Sequence, residues 1–344
     1  MNSRILFILK YREGYTYEND SPYSYGGHFS SGLYWSAKFV VDMLVESGVD
    51  AKLIEVIDNN DIDREVHKFR PDIVIIEALW VVPEKFDVLM KLHPTIEWIV
   101  RLHSNIPFLA NESIAIRWIK GYARRGVKIA VNEERALKDI KEVLDSSFLD
   151  DKVLYLPNYY PVHDKIVESH RHNHINIGCY GAIRPLKNQL IQALAAIRYG
   201  DEHDKIIHFH INGTRLEQGG EPIRENLRAL FAKTAHRLIE DRWMNHREFL
   251  DKLKHMDVGM QVSLSETFSI VAADMVSVGL PIVVSPEVHW ANYFSKVNPT
   301  NSLKITEGIR DALRFKELNV LTNRSNLRHY SERSRHTWLK EFDC

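Results

Sequence analysis

The chain has 344 residues and a mass of 40.1 kDa, with 44% hydrophobic and 26% charged residues, so it is long enough for two domains and too apolar to be disordered. Lys and Arg total 45 against 46 Asp and Glu, a formal net charge of −1, which excludes coating of nucleic acid by bulk charge and leaves only a local basic groove open. Two cysteines, Cys179 and Cys344, exclude a disulfide framework and a Cys-rich zinc module, and they fit a reducing compartment. No stretch approaches the ~18 apolar residues of a membrane span. The run Ile5-Leu6-Phe7-Ile8-Leu9 is too short for a signal-peptide core and is followed by Lys10, Arg12 and Glu13, so the expected localisation is cytoplasmic.

Taken in chain order, short apolar runs alternate with amphipathic stretches. Strands are predicted at 4–9, 51–57, 72–77, 96–102 and 127–131, with helices near 31–47, 62–69, 84–92, 111–125 and 133–144. Asp72-Ile73-Val74-Ile75-Ile76 has no polar alternation, as expected of a central strand covered on both faces. A break follows, with Pro157, Pro161 and several histidines and no clear period. The rhythm resumes with strand 175–180, helix 187–199, strand 206–211, helices 223–236 and 246–255, strand 257–262, helix 268–279 and strand 281–284. Residues 305–343 read as charged helix. Such alternation predicts two doubly wound α/β domains with parallel sheets, whose ligands bind beyond the carboxyl ends of the strands.

Two segments carry chemistry. In Ser263-Leu264-Ser265-Glu266-Thr267-Phe268-Ser269, followed by Asp274, a strand ends in a polar loop and a helix is expected to begin near Thr267. Glu266 then sits at the helix N-terminus, and Asp274, eight positions on, shares roughly its face. The pair could accept hydrogen bonds from the hydroxyls of a long ligand; equally, Glu266 could be a cap and Asp274 a solvated charge. In Ile177-Gly178-Cys179-Tyr180-Gly181-Ala182-Ile183-Arg184-Pro185-Leu186-Lys187, Gly178 and Gly181 would let a ligand approach the backbone. Arg184 and Lys187 offer cationic donors beside a helix start, which is the chemistry of a diphosphate site. A strand-to-helix turn with two surface cations is the plain alternative.

Together these segments resemble the signature of family 4 glycosyltransferases of the GT-B fold: Glu, seven residues, Glu, then a small residue, Gly-x-Pro and an apolar strand, here Gly279-Leu280-Pro281-Ile282-Val283-Val284. Asp274 takes the second acidic place, one methylene short. The resemblance implies a retaining transferase using a nucleotide diphosphate sugar such as a UDP-sugar. In it Arg184 and Lys187 grip the diphosphate, Glu266 touches the donor sugar and Asp274 the ribose. It also implies donor contacts from Thr267, Phe268 and Ser269, from Gly181, and from Gly26 and Gly27 in the loop Tyr25-Gly26-Gly27-His28. Gly213 in Asn212-Gly213-Thr214 is expected to line the nucleotide side. His103, in Arg101-Leu102-His103-Ser104, matches the family's histidine at the reacting sugar. The catalytic set is then His103, Arg184, Lys187 and Glu266, with no metal or other cofactor required.

The expected domains are an acceptor-side Rossmann-like domain at 1–160, a linker at 161–171, a nucleotide-sugar domain at 172–318, and helices at 319–344 packing back towards the first domain across a central cleft. Parts of the first domain, such as Phe39-Val40-Val41-Asp42-Met43-Leu44, resemble glycosyltransferases encoded in bacteriophage genomes, which would place the protein in a host cytoplasm. That resemblance suggests an acceptor: DNA carrying a 5-hydroxymethylpyrimidine, met by His28, Arg101, Arg124 and Arg125. A surface polysaccharide or lipid-linked glycan is the competing acceptor, and an inactive sugar-nucleotide binder is the non-enzyme alternative. Asp61-Ile62-Asp63 spells the metal motif of the other large glycosyltransferase fold but falls where a surface turn is expected. His170, His172 and His174 alternate like strand-borne metal ligands, yet lie in the non-periodic break 157–174 with no fourth ligand apparent.

Overall fold

A computed structural model describes residues 3–11, 31–144, 152–162 and 173–342. The chain divides into two compact units, residues 1–161 with 330–344, and residues 162–329.

Unit 1 is built from β1 (Arg4–Lys10), α1 (Ser31–Glu46), β2 (Asp50–Val56), α2 (Asp61–Phe69), β3 (Ile73–Glu77), α3 (Lys85–Leu92), β4 (Glu97–Leu102), α4 (Ile106–Leu109), α5 (Ala115–Arg124), β5 (Lys128–Val131), α6 (Glu134–Leu144) and β6 (Val153–Tyr155). Its six strands run parallel in the order β2-β1-β3-β4-β5-β6. Side chains alternate along β1 and β3. Leu6, Ile8, Val74 and Ile76 enter one core with Phe86 and Trp98, while Ile5, Phe7, Ile73 and Ile75 enter the opposite core with Val40, Leu44 and Trp338. Covering on both faces is why these strands read as unbroken apolar runs.

Unit 2 contains β7 (Ile175–Gly178), α7 (Gln189–Glu202), β8 (Ile207–Asn212), α8 (Gly220–Phe231), β9 (Arg237–Asp241), α9 (His246–Leu253), β10 (Val258–Gln261), α10 (Ile270–Ser277), β11 (Ile282–Val284) and α11 (Ser302–Arg314). Its parallel sheet has the order β11-β10-β7-β8-β9. From β7 the chain winds outward through β8 and β9, then returns to place β10 on the other side of β7. The strand order therefore reverses between β7 and β10, and a crevice at such a switch point is where open α/β sheets bind ligands. Helix α12 (Lys316–Glu341) starts in unit 2 and ends in unit 1.

Several elements differ from the sequence expectation. The predicted helix 111–125 is realised only as α5, Ala115–Arg124, and a separate short helix that was not predicted, α4, precedes it at Ile106–Leu109. The predicted helix 223–236 stops at Phe231, and the next residues form β9, an edge strand whose five residues are all at least partly exposed and so carry no apolar run. No helix among the described residues is long and apolar enough to cross a membrane.

Candidate active site

Beyond β7 the chain reaches Gly181, whose φ of 109° is left-handed backbone that a side chain would strain. Its N–H donates to Asn212 Oδ1 at 2.8 Å. Ile183 then bridges in parallel to Leu216, and Pro185–Lys187 form a 3-10 turn. Asn188 closes that turn with φ 59°, and its Nδ2 donates to Val262 O at 3.0 Å and Pro299 O at 2.8 Å. Leu264 N donates to Leu186 O at 2.9 Å. The loop after β7 is thereby tied to the loop after β10, across the switch point.

Those ties bring Lys187 and Glu266 together, though 79 residues separate them. Lys187 Nζ contacts Glu266 Oε1, and Ser263 Oγ donates to the same oxygen at 2.9 Å. The two side chains are 11% and 8% exposed, so the pair is mostly buried but keeps an edge to solvent, and its charge interaction is stronger than in water. Arg184 points to a different carboxylate: its Nη1 donates to Glu217 Oε2 at 3.3 Å, while Arg215 Nε donates to Glu217 Oε1 at 2.8 Å. Burial alone would raise the Glu217 carboxyl, but Arg215 and Arg184 outweigh it and hold the group below its ordinary value.

The expectation for Glu266 and Asp274 is corrected in its geometry. Helix α10 starts at Ile270, after Ser269 in left-handed backbone at φ 62°, so Glu266 lies in the loop and neither caps the helix nor shares its face with Asp274. Thr267 is buried; Phe268 is buried against Trp290, whose Nε1 donates to Phe268 O at 2.7 Å. Asp274 is not a solvated charge. It is 3% exposed, and His246 Nε2 meets its Oδ1 at 2.7 Å. His246 is the first residue of α9, fixed there by the capping box of Asn245 and Glu248.

Two glycines have packing partners rather than open space. A Cβ on Gly178 would sit 2.9 Å from the Tyr180 ring and 3.2 Å from Met256, so the expected backbone approach there is filled by protein. A Cβ on Gly213 would meet Glu240 at 2.6 Å. Between them lies a network the sequence did not reveal. Asp241 Oδ2 accepts from Tyr180 Oη at 2.8 Å and meets His210 Nδ1 at 2.9 Å, and Lys252 Nζ lies 2.9 Å from Asp241 Oδ1. Burial pushes the Asp241 carboxyl up, but the contacts of His210, Lys252 and Tyr180 outweigh it and leave the group below its ordinary value. Nothing in the sequence marked Asp241, because its edge strand carries no apolar run.

In unit 1, His103 follows β4 and its Nε2 contacts Glu77 Oε2 at the end of β3. Burial outweighs this carboxylate and holds the imidazole below its usual value of 6.5, so it is neutral at pH 7. Arg101 is wholly buried. Its guanidinium donates to Glu77 Oε1 at 3.2 Å, Leu156 O at 3.1 Å, Pro157 O at 3.2 Å and Asn158 Oδ1 at 2.6 Å. The expected acceptor contact of Arg101 is corrected on that ground: a guanidinium with no exposed edge cannot meet a ligand directly. Arg124 is exposed at the end of α5, whereas Arg125 is bidentate on Asp87 at 2.9 and 3.1 Å. Asp61 accepts from the backbone N–H groups of Ile57 and Asp58 and pairs with Arg64, and Asp63 meets His93 at 2.7 Å. His174 stacks on His208 with ring centroids 3.7 Å apart. Gly26, Gly27 and His28, like His170 and His172, lie outside the described residues.

The chain matches no protein-family model and no curated protein sequence. Its fold is nevertheless shared by solved structures. It superposes on OtsA in its apo form with a TM-score of 0.69 and 11% identity, over 99% of both chains. On the α,α-trehalose 6-phosphate synthase of Burkholderia multivorans the TM-score is 0.67 with 12% identity, over 100% of this chain and 97% of that one. On Anabaena Alr3699/HepE, solved with UDP and glucose, it is 0.61 with 10% identity, over 96% and 95%. At these identities the likeness is one of fold, and with two parallel Rossmann-like sheets the chain has the GT-B fold of these glycosyltransferases.

Proposed function

We propose that the protein transfers a sugar from a nucleotide diphosphate sugar to an acceptor hydroxyl with retention of anomeric configuration. The observation that carries this reading is the Lys187–Glu266 contact at the switch point of unit 2, a cation and a carboxylate brought beside Gly181 from two loops. In this reading Lys187 and Arg184 take the diphosphate, and Glu266 accepts hydrogen bonds from sugar hydroxyls. Asp274, backed by His246, takes the ribose. As the glycosidic bond breaks, negative charge gathers on the leaving diphosphate, and preformed cations stabilise it without a metal ion. His103, neutral, is proposed as a contact of the reacting sugar. UDP is the first nucleotide to try, since a structure of like fold holds it.

The test is a thermal-shift panel of nucleotide sugars, followed by turnover of any donor that binds. A donor present at 100 times its dissociation constant should stabilise the fold by ~2.7 kcal/mol. Lys187→Ala should abolish the shift. No shift with any UDP-, GDP- or ADP-sugar would overturn the proposal.

For the acceptor, hydroxymethylated phage DNA remains the proposal drawn from the resemblance of the first domain, with Arg117 and Arg124 as exposed phosphate contacts. Activity on such DNA should fall steeply with added salt. A saccharide acceptor is the second reading, and one observation favours it: Arg125 and Lys128 are paired to Asp87 and Glu97, which neutralises part of the basic stretch. Mass spectrometry of nucleosides digested from hydroxymethylated DNA, beside saccharide acceptors in parallel, decides between them.

A further inference from the structure

Arg184 and Lys187 are handled differently by their carboxylates. Lys187 is tightly held by Glu266, whose oxygen also takes the Ser263 hydroxyl. Arg184 makes a longer contact, 3.3 Å, with Glu217, while Arg215 holds that same carboxylate at 2.6 Å through Nη2 and 2.8 Å through Nε. Glu217 is placed by backbone, not by chance of rotamer. Its N–H donates to Ile183 O at 3.0 Å, Ile183 N donates to Arg215 O at 2.9 Å, and Gly220 packs so closely that a Cβ there would lie 2.1 Å from Ile183 O. The short parallel bridge of Ile183 with Leu216 thus sets Glu217 beside Arg184.

We infer that Glu217 limits how tightly the site holds its diphosphate, by competing with the phosphates for Arg184. The inference rests on the donor-site reading above. A diphosphate entering beside Lys187 must take the Arg184 guanidinium from Glu217, and it must do so against the repulsion of a carboxylate in the same loop cluster. The exchange leaves no stranded charge, because Glu217 keeps Arg215. Three cations, Arg184, Lys187 and Arg215, stand against two carboxylates, Glu217 and Glu266. Only a modest positive excess greets a nucleoside diphosphate, which suits an enzyme that must release this product after each turnover. Glu217 is therefore a positioning and affinity-setting residue, distinct from the groups that touch the donor.

The experiment is isothermal titration of UDP, GDP and ADP into wild type, Glu217→Gln, Glu217→Asp and Arg184→Ala, at two salt concentrations. In Glu217→Gln the tightest-binding diphosphate should bind about 5- to 20-fold more tightly, with a steeper salt dependence. In turnover, KM and kcat should both fall as product release slows. Glu217→Asp, whose carboxylate is drawn back by one methylene, should lie between; a thermal melt confirms that both variants fold. Unchanged or weaker binding in Glu217→Gln, with binding still lost in Arg184→Ala, would overturn the inference and leave the donor site standing. Binding by none of the three nucleotides, or binding indifferent to Arg184→Ala, would overturn the donor site itself and the inference with it.

Discussion

Both units gather ionic groups at the carboxyl ends of their central strands, but they enclose them to different degrees. In unit 1, Glu77 and Arg101 are wholly buried, and the remaining guanidinium donors end on backbone carbonyls and Asn158. The Glu77–Arg101 pair cannot exchange partners without breaking the strand ends. In unit 2, Lys187–Glu266 and Arg184–Glu217 join loops to loops, with edges still open to solvent. The same chemistry therefore locks structure in one place and stands ready to be exchanged in the other. Enclosure decides which role follows, since a sealed pair is costly to break and a half-open one can trade its partner for a ligand.

The sharpest test of the contrast is Arg101→Met. It leaves the Glu77 carboxylate buried without its main counter-charge and should cost ~3–5 kcal/mol of stability. Denaturant titration reads this directly, and a loss below ~1 kcal/mol would refute the sealed character of the cluster. Lys187→Ala should behave oppositely. It should cost ~2–5 kcal/mol in kcat/KM through loss of a charge-assisted contact to the leaving group, with a smaller change in melting. Asp274→Ala should be milder and selective, raising the donor KM by about tenfold through loss of a hydrogen bond to a charged group, with kcat nearly kept; Asp274→Glu should be tolerated. An effect confined to kcat would remove Asp274 from the ribose.

A pH profile separates the units further. The imidazole of His103 lies below its ordinary value of 6.5 in the folded chain. The unfolded chain therefore binds more protons below pH 6.5, and the contribution of His103 to stability, fully present above that value, is lost as pH falls towards the folded value. The melting temperature of His103→Gln should decline less between pH 7 and pH 5.5 than that of wild type; parallel curves would refute the burial effect. The smallest effect is expected of Asp61→Asn with Asp63→Asn, which should leave turnover unchanged, in the presence of chelator as in its absence. Loss of turnover on chelation, restored by Mn²⁺ or Mg²⁺, would return that pair to consideration.

The strands were legible because two-sided burial writes itself as continuous apolar sequence, as in Ile73-Val74-Ile75-Ile76. The edge strand Arg237-Leu238-Ile239-Glu240-Asp241 was not, because one unpaired side leaves polar residues tolerable along it. Residue types at Arg184, Lys187 and Glu266 pointed to phosphate and sugar chemistry, but their pairing did not show. Lys187 meets Glu266 because Asn188 reaches Val262 and Leu264 reaches Leu186, contacts between distant loops. The burial of Asp274 was hidden for a similar reason. Its neighbours Ala272, Ala273, Met275 and Val276 are all buried, so α10 presents no polar face on which to place the acid, and His246 comes from another helix altogether.

The return of α12 has a consequence for the order in which the protein can be made. Trp338 packs on Phe7 at 5.8 Å, stacks over Arg101 at 5.2 Å, and donates from Nε1 to Pro157 O at 2.7 Å. Unit 1 is thus finished by a residue that is translated only after unit 2. All of residues 162–329 must be synthesised in between. At ~5–20 residues per second, this leaves the end of the Phe7 strand, Arg101 and the Pro157 carbonyl uncovered for roughly ten to thirty seconds, while unit 2 can already close on itself. For this chain, vectorial synthesis runs against sequence order: the second unit is the first that can be complete.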